Sequence, residues 1–293
     1  MKVLVTGGAG FIGTNLIKRL LRDGHEVTSV DNYSTSNKDT HQDGCRYYEN
    51  DLSSDHILGI YVDHSTYPSW RDDEFDVIFH LAALARIQPS FEEPVETFKS
   101  NVVSTVNILE LARKKNIPVI YAGSSTAHGD HSSNPYSFTK RQGELLCEMY
   151  NNVYNLPTVV TRFYNVYGDY QLLDGAYTAV IGIFLRQYSE GKALTITGDG
   201  EQRRDFTHVD DIVDGLVKSF ENIEISSGKI FEFGSGVNYS INEIASFFKT
   251  KTKYIPKRPG EMDTTLCESV EARKLIGFNP KKDIKDYLNE KLF

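Results

Sequence analysis

The stretch KVLVTGGAGFIG, from Lys2 to Gly13, constrains the fold of this chain more than any other. Lys2 to Thr6 is a short β-branched run, a glycine-rich turn follows at once, and Thr14 to Leu21 carries apolar residues at helical spacing. The order is strand, turn, helix. In such a turn Gly7 permits the tight bend, Gly10 lets backbone approach a pyrophosphate, and Gly13 lets the helix pack closely. The helix N-terminus then offers N–H groups and a favourable dipole to phosphate. A second strand, Glu26 to Val30, ends in Asp31, near the separation of about 20 residues at which an acid takes the ribose hydroxyls of an adenosine. Its charge repels a 2′-phosphate, so the pattern favours NAD over NADP. The alternative is a purely structural glycine turn.

A chain of 293 residues with 40% hydrophobic content can bury one large core or two modest ones. No apolar run approaches the roughly 18 residues of a membrane helix, which leads to the expectation of a soluble cytoplasmic protein with no membrane partner. Cys45, Cys147 and Cys267 form no Cys-x-x-Cys pair, so neither a disulfide framework nor a metal site is expected. The net charge of -8 argues against a nucleic-acid groove. Anionic ligands would need local arginines; Arg203, Arg204 and Arg258 are available, with Arg203 read as solvated.

Arg46 to Glu49 reads as a third strand, followed by Asn50 and Asp51. Asp51 either bonds an adenine amino group or caps a helix. Gly59 to Glu74, with Pro68 and Trp70, reads as a surface excursion. Asp76 to Leu81 is a buried parallel strand, with His80 a satisfied core histidine, and Ala82 and Ala83 leave room for a flat ligand. Glu93 to Lys115 contains a helix with apolar positions at Val102, Val106, Leu109 and Ala112, stopped by Pro118. Asn101, near its start, is a candidate cofactor contact. Val119 to Ala122 is a further strand.

The segment GSSTAHGDHSSNPYSFTK, from Gly123 to Lys140, places a hydroxyl, Ser124, a phenol, Tyr136, and an amine, Lys140, in one short run. Tyr136 and Lys140 share a helix face, so the ammonium is expected to lower the phenol from its usual pKa of about 10. The same spacing recurs at Tyr188 with Lys192 and at Tyr287 with Lys291, read as a helix end and the chain end. Position after a strand end, where ligands sit in a doubly wound sheet, singles out Tyr136. Pro135 fits a helix start, and Leu145, Met149 and Val153 form an apolar face.

Together these residues resemble the extended short-chain dehydrogenase/reductase family, in particular its nucleotide-sugar epimerases and dehydratases. The resemblance spans nearly the whole chain. It rests on TGGAGFIG at Thr6 to Gly13, DN at Asp31, HLAA at His80, the Ser124, Tyr136 and Lys140 set, RFYNVYG at Arg162 to Gly168, GDGEQRRDFTHVDD at Gly198 to Asp211, and RPGE at Arg258 to Glu261. It implies that Tyr136 is the acid/base, that Ser124 bonds the reacting sugar hydroxyl, and that Lys140 holds the nicotinamide ribose. The implied NAD contacts are Gly7, Gly10, Phe11, Ile12, Gly13, Asp31, Asn32, Asp51, Leu52, Leu81, Ala82, Ala83, Asn101, Tyr136, Lys140 and Phe163. The substrate, a nucleotide-diphosphate sugar with UDP favoured, would meet Arg86, Ser124, Ser125, Thr126, Tyr136, Asn165, Arg204, Arg258 and Glu261. A surface salt bridge is the alternative for Arg204 or Arg258.

Dehydratases in the family resemble one another in carrying an acid shortly after the catalytic hydroxyl, since elimination needs further acid/base groups. Related uronic-acid decarboxylases place a glutamate where Thr126 stands. Ser125 and Thr126 supply no carboxylate, which points to removal and return of a hydride, as in UDP-galactose 4-epimerase. A reductase with net redox and a catalytically silent nucleotide-binding protein are the alternatives.

Three departures bear on the substrate. Only eleven residues separate Ser124 from Tyr136, where the resembled epimerases have about twice as many, so a more open site is expected. Arg86 stands where a small polar residue is common, and could meet a uronate carboxylate or a phosphate. Thr265, downstream of RPGE, is small enough for an N-acetylated sugar to fit.

The expected fold is α/β: a Rossmann-type doubly wound parallel sheet over residues 1–165, rejoined by parts of 205–236, with a smaller mixed α/β substrate-capping lobe over 166–293. Helices are expected at Thr178 to Tyr188, Val209 to Phe220, Ile241 to Thr250 and Ser269 to Leu275, and a strand at Ile230 to Phe233. The resemblance also implies a homodimer through the helices near 100 and 145.

Overall fold

The computed structural model describes residues 1–54, 57 and 68–292. In chain order the strands are β1 (Lys2–Thr6), β2 (Glu26–Asp31), β3 (Cys45–Glu49), β4 (Val77–His80), β5 (Val119–Ser124), β6 (Thr158–Phe163), β7 (Val166–Tyr167), β8 (Leu194–Thr197), β9 (Arg203–Asp205), β10 (Thr207–His208), β11 (Ile230–Phe233), β12 (Asn238–Ser240) and β13 (Thr252–Ile255). The helices are α1 (Phe11–Arg22), α2 (Ile87–Glu92), α3 (Pro94–Phe98), α4 (Ser104–Lys115), α5 (Pro135–Tyr154), α6 (Val180–Ser189), α7 (Val209–Glu221), α8 (Ile223–Ser226), α9 (Ile241–Phe247), α10 (Glu271–Ile276) and α11 (Ile284–Leu292).

Seven strands form one parallel sheet in the order β11-β6-β5-β4-β1-β2-β3. Strand order reverses between β1 and β4, the switch point at which a doubly wound sheet opens a crevice at its carboxyl edge. Alternation sends Val3, Val5, Val77 and Phe79 to the core that includes Leu16 of α1 and Leu216 of α7. Leu4 and Ile78 go to the opposite core, with Leu109 of α4 and Cys147 of α5. Apolar side chains on both faces are what a two-sided parallel sheet demands. A third core, including Tyr167, Phe184, Ile244 and Leu288, holds α6, α9 and α11 beside the short strand pairs β8 with β13, β9 with β12 and β7 with β10.

Several expectations change in detail. The helix read within Glu93 to Lys115 is interrupted by a π turn, Lys99–Val103, between α3 and α4. Tyr287 and Lys291 lie at the chain end, as read, within α11; Lys291 reaches Asp169 at 2.9 Å. Of the stretch read as a surface excursion, 59–67 lies outside the described residues. Trp70 is fully buried in the core and donates its indole N–H to Asn50 Oδ1 at 2.8 Å, so this part is packed structure. A buried indole needs such an acceptor. Leu145, Met149 and Val153 of α5 lie exposed, while Gly143, Glu144, Cys147 and Tyr150 face inward. No helix among the described residues is long and apolar enough to cross a membrane.

Candidate active site

The glycine turn behaves as its spacing requires. Gly7 adopts φ +70, and a Cβ there would meet Ala82 N at 2.7 Å, so the turn lies directly against the chain leaving β4. A Cβ on Gly13 would sit 2.2 Å from the Gly7 carbonyl, whereas Gly10 has only one neighbour so close, at 3.3 Å. No side chain caps α1, and its first turn holds no acid. The N–H groups of Phe11, Ile12 and Gly13 therefore lack helical partners where all three residues line the main cavity. Gly8 is constrained too, since a Cβ would meet Ser29 Oγ at 2.2 Å; nothing in the sequence announced that packing.

Asp31 closes β2 with its carboxylate accepting from Ala9 N at 3.0 Å and from Tyr33 N at 2.8 Å. It thus fixes the turn as well as facing the cavity. Ser34, Thr35, Ser36, Asn37 and Thr40 complete this wall, which sequence reading did not single out. Lys38, beside them, is turned to Glu49 at 2.9 Å. Among the described residues the wall offers hydroxyls and an acid, with no cation for a 2′-phosphate. Asp51 accepts from Ser53 N and Ser53 Oγ within a local turn while still lining the cavity.

One cavity of about 750 Å³ runs from this turn to α6, β8 and β9 and is lined by every expected site residue except Asn101. Asn101 is fully buried beneath it. Its amide accepts from Leu84 N at 2.8 Å and donates to Leu84 O and Thr139 Oγ1. It braces the loop after β4 against α5, and Ser100 of the π turn and Ser104 at the start of α4 line the cavity instead. His80 is a satisfied core histidine: Nδ1 meets Thr6 Oγ1 at 2.7 Å and Nε2 meets Thr105 Oγ1 at 3.0 Å, and burial drives its pKa down to about 3.

Ser124 ends β5, and α5 begins at Pro135 with Asn134 capping Ser137 N at 2.8 Å. Pro at the first helical position costs no hydrogen bond. This start is further pinned by Ser90 of α2, whose Oγ accepts from Tyr136 N at 3.1 Å. The Tyr136 hydroxyl donates to Ser124 Oγ at 3.3 Å. Thr126 gives the same oxygen its N–H and its hydroxyl, at 3.3 and 3.0 Å. Three donors around an oxygen with two lone pairs mean that one of the hydroxyl contacts runs the other way or yields to a ligand, so Ser124 Oγ is the shared polar centre of this wall.

Lys140 is buried, donates to the Ala122 carbonyl at 2.8 Å and lies over the Tyr121 ring. Burial lowers its pKa to about 8, against the pull of Glu144. The expectation that Lys140 lowers the Tyr136 phenol is corrected here. Burial raises that phenol; the Ser124 hydrogen bond and the Arg86 charge lower it, and Glu144 raises it. The cation felt by Tyr136 is Arg86, because Lys140 is turned to the end of β5.

The segment after Ser124 folds into two tight 3₁₀ turns, Ser125–His128 and His131–Ser133. His128 bonds Glu232 at 2.6 Å, and Glu232 also takes Arg162 and Tyr164. Met262 packs on Gly129 and lines the cavity, so the Arg258 to Glu261 segment furnishes wall beside the short connection. Gln88 ties this segment down by donating to Pro259 O at 2.9 Å.

Arg204 on β9 and the exposed Arg258 line the same cavity from the lobe side. Arg204 donates to the Arg203 and Asp263 carbonyls and lies 4.0 Å from Glu261. Arg203, read as solvated, is instead bound to Glu243 at 3.0 Å and to Asn238. Asn165, at φ +24, donates to Asp205 O and to Thr265 Oγ1. The Thr265 hydroxyl is thus committed to the wall.

Residues 3–234 match the NAD dependent epimerase/dehydratase family. The chain belongs to this family. A UDP-glucuronic acid decarboxylase 1 from Danio rerio is 30% identical over 99% of this chain and 71% of its own length. The crystal structure of a Thermotoga maritima UDP-glucose 4-epimerase with UDP-glucose superposes with a TM-score of 0.90 at 26% identity, covering 100% of this chain and 97% of the other. A Bacillus cereus UDP-glucuronic acid 4-epimerase in complex with UDP-glucuronic acid and NAD gives 0.87 at 27%, covering 100% and 98%. The cofactor of this epimerase/dehydratase family member is NAD. The residues fit it: an uncapped helix N-terminus, an open Gly10, and an acid-and-hydroxyl wall around Asp31.

Proposed function

We propose that the protein is a nucleotide-sugar 4-epimerase, acting on a UDP-linked hexose through a transient 4-keto sugar. The observation that carries this reading is the chemistry of the cavity around Tyr136. Ser124, Ser125 and Thr126 are all hydroxyls, and the carboxylates lining the cavity, Asp31, Asp51 and Glu261, belong to β2, the turn after β3 and the Arg204 pair. Elimination of water needs an acid and a base in addition to the phenol, and among the described residues no carboxylate lines the cavity beside it; Glu144, whose charge reaches the phenol, is held by Arg141 and Arg162. The names of two structural neighbours, both 4-epimerases, support the same reading, while the decarboxylase relative carries a different reaction on a similar chain.

Bound NAD, held by the α1 N-terminus and the Asp31 wall, would supply a reversible hydride acceptor facing sugar C4. Tyr136 removes the proton from the C4 hydroxyl and later restores it, while the Ser124 hydroxyl steadies the C4 oxygen. Lys140, fixed by Ala122, holds the nicotinamide ribose. Arg204 and Arg258 grip the diphosphate with forked donors, beside Asn165, so the keto sugar can turn about its diphosphate link and present its other face. Residues 1–165 with the return of 205–236 form the NAD-binding domain, and 166–293 supply the substrate lobe. Exposed apolar residues on α3 and α5, Val95, Phe98, Leu145 and Val153, form the contact of a homodimer. Its free thiols suit the reducing cytoplasm.

The test is incubation with UDP-glucose, UDP-galactose, their N-acetyl forms and UDP-glucuronate, followed by separation of products. Interconversion at C4 with no net reduced cofactor is expected. A released 4-keto-6-deoxy sugar would overturn the reading.

A further inference from the structure

Arg86 follows β4 on the wall that also carries Ala82 and Ala83, and its guanidinium is fixed entirely by backbone. Nε donates to Tyr177 O at 2.8 Å and Nη1 to Ala85 O at 3.0 Å. Among the described residues Nη2 has no partner and no carboxylate pairs with this side chain. The group whose charge acts on it is the Tyr136 phenol, and burial disfavours its charged form. The other arginines of the cavity differ. Arg204 faces Glu261, and both Arg204 and Arg258 enter from the lobe. A half-buried guanidinium held rigid without a counter-ion is a site awaiting an anion.

Its position says which anion. Arg86 is the N-cap residue of α2, whose Ser90 Oγ accepts from Tyr136 N at 3.1 Å, and it lines the cavity together with Ser124 and Tyr136, so it meets the sugar ring rather than the diphosphate. The facing wall of Ser124, Ser125 and Thr126 is neutral and carries no acid to repel a negative sugar. On a hexose reacting at C4, the acidic group adjoining the reacting carbon is a C6 carboxylate on C5.

We propose that the physiological substrate is a nucleotide-linked uronate whose carboxylate is held by Arg86, with Nη2 as the open donor. This rests on the 4-epimerase reading for the reaction but not for the recognition. A 4-keto uronate is a β-keto acid. Breaking C5–C6 would release CO₂, with the electron pair passing to the C4 oxygen and a proton then added at C5, so the fate of C6 reports the reaction independently of binding.

The experiment compares UDP-glucuronate carrying a labelled C6 with UDP-glucose, using the full chain and its Arg86→Gln and Arg86→Lys variants. Both kcat/KM and the Kd of each nucleotide sugar are measured. Wild type is expected to favour the uronate. In Arg86→Gln the ratio of kcat/KM for uronate over neutral sugar falls about 100-fold, the scale of removing one partner from a buried charge pair, and Arg86→Lys restores part of it. A wild-type preference for UDP-glucose, or a ratio unchanged in both variants, overturns the proposal. Loss of the C6 label as CO₂ overturns the epimerase reading, while an Arg86-dependent Kd for UDP-glucuronate upholds uronate recognition. Epimerisation of both sugars with no Arg86-dependent selectivity does the reverse.

Discussion

The Tyr136 hydroxyl donates to the Ser124 Oγ across 3.3 Å. That contact joins the first turn of α5 to the end of β5, the carboxyl edge at which a doubly wound sheet binds its ligands. Tyr136→Phe removes the proton carrier and leaves the cavity walls in place. Turnover is expected to fall by about 10²-fold or more, with the Kd for UDP-sugar within a few-fold of wild type. Parallel kinetics and calorimetric titration check both parts.

Two glycines of one turn separate packing from binding. Gly13→Ala puts a Cβ 2.2 Å from the Gly7 carbonyl, so the melting temperature is expected to drop along with NAD affinity. Gly10→Ala makes one tight contact, 3.3 Å from the Gly7 carbonyl, far milder than the 2.2 Å clash at Gly13. Its melting temperature in the absence of NAD should stay close to wild type while NAD binding weakens. Thermal melts with and without NAD discriminate the two.

Cofactor choice follows from the end of β2. Replacing Asp31 by Ser removes the charge facing a 2′-phosphate, and the ratio of NADP to NAD affinity is expected to rise by at least about tenfold. Absolute NAD affinity should also fall, because Asp31 anchors Ala9 N.

His80 gives a pH signature. Buried between Thr6 and Thr105, it resists protonation down to about pH 3, whereas an unfolded histidine protonates near 6.5. The unfolded state therefore binds the extra proton between these values. Stability from this residue is fully present above about pH 6.5 and is lost at about 1.4 kcal/mol per pH unit as the pH falls toward 3. Denaturant melts across that window should show a shallower acid slope in His80→Asn, on a lower baseline.

The sheet was largely legible because its pattern is local. Strand Ile230–Phe233, the glycine turn and the α5 start at Pro135 all sit where composition and spacing place them. What was not legible depends on distant partners. Asn101 has the polarity and position of a ligand contact, yet it serves Leu84 and Thr139, which only the folded chain brings beside it. Lys140 has the helical spacing to act on Tyr136, but spacing fixes a face and not a rotamer, and its amine went to Ala122. Trp70 lies in a segment with no periodic signal and is buried through Asn50 and the core around it.

The exposed apolar residues of α5 predict an assembly. Val153→Asp, on the side exposed in the single chain, is expected to convert a dimer into a monomer that keeps its fold. Light scattering after gel filtration reads this directly; a monomeric wild type removes the proposal.

The most direct test of reversible hydride transfer at C4 is product analysis after incubation with UDP-sugars. A mixture of C4 epimers, reached from either side, with no net change in the redox state of the cofactor is the expected result. A dehydrated or decarboxylated product, or one molecule of reduced cofactor per sugar, would contradict it.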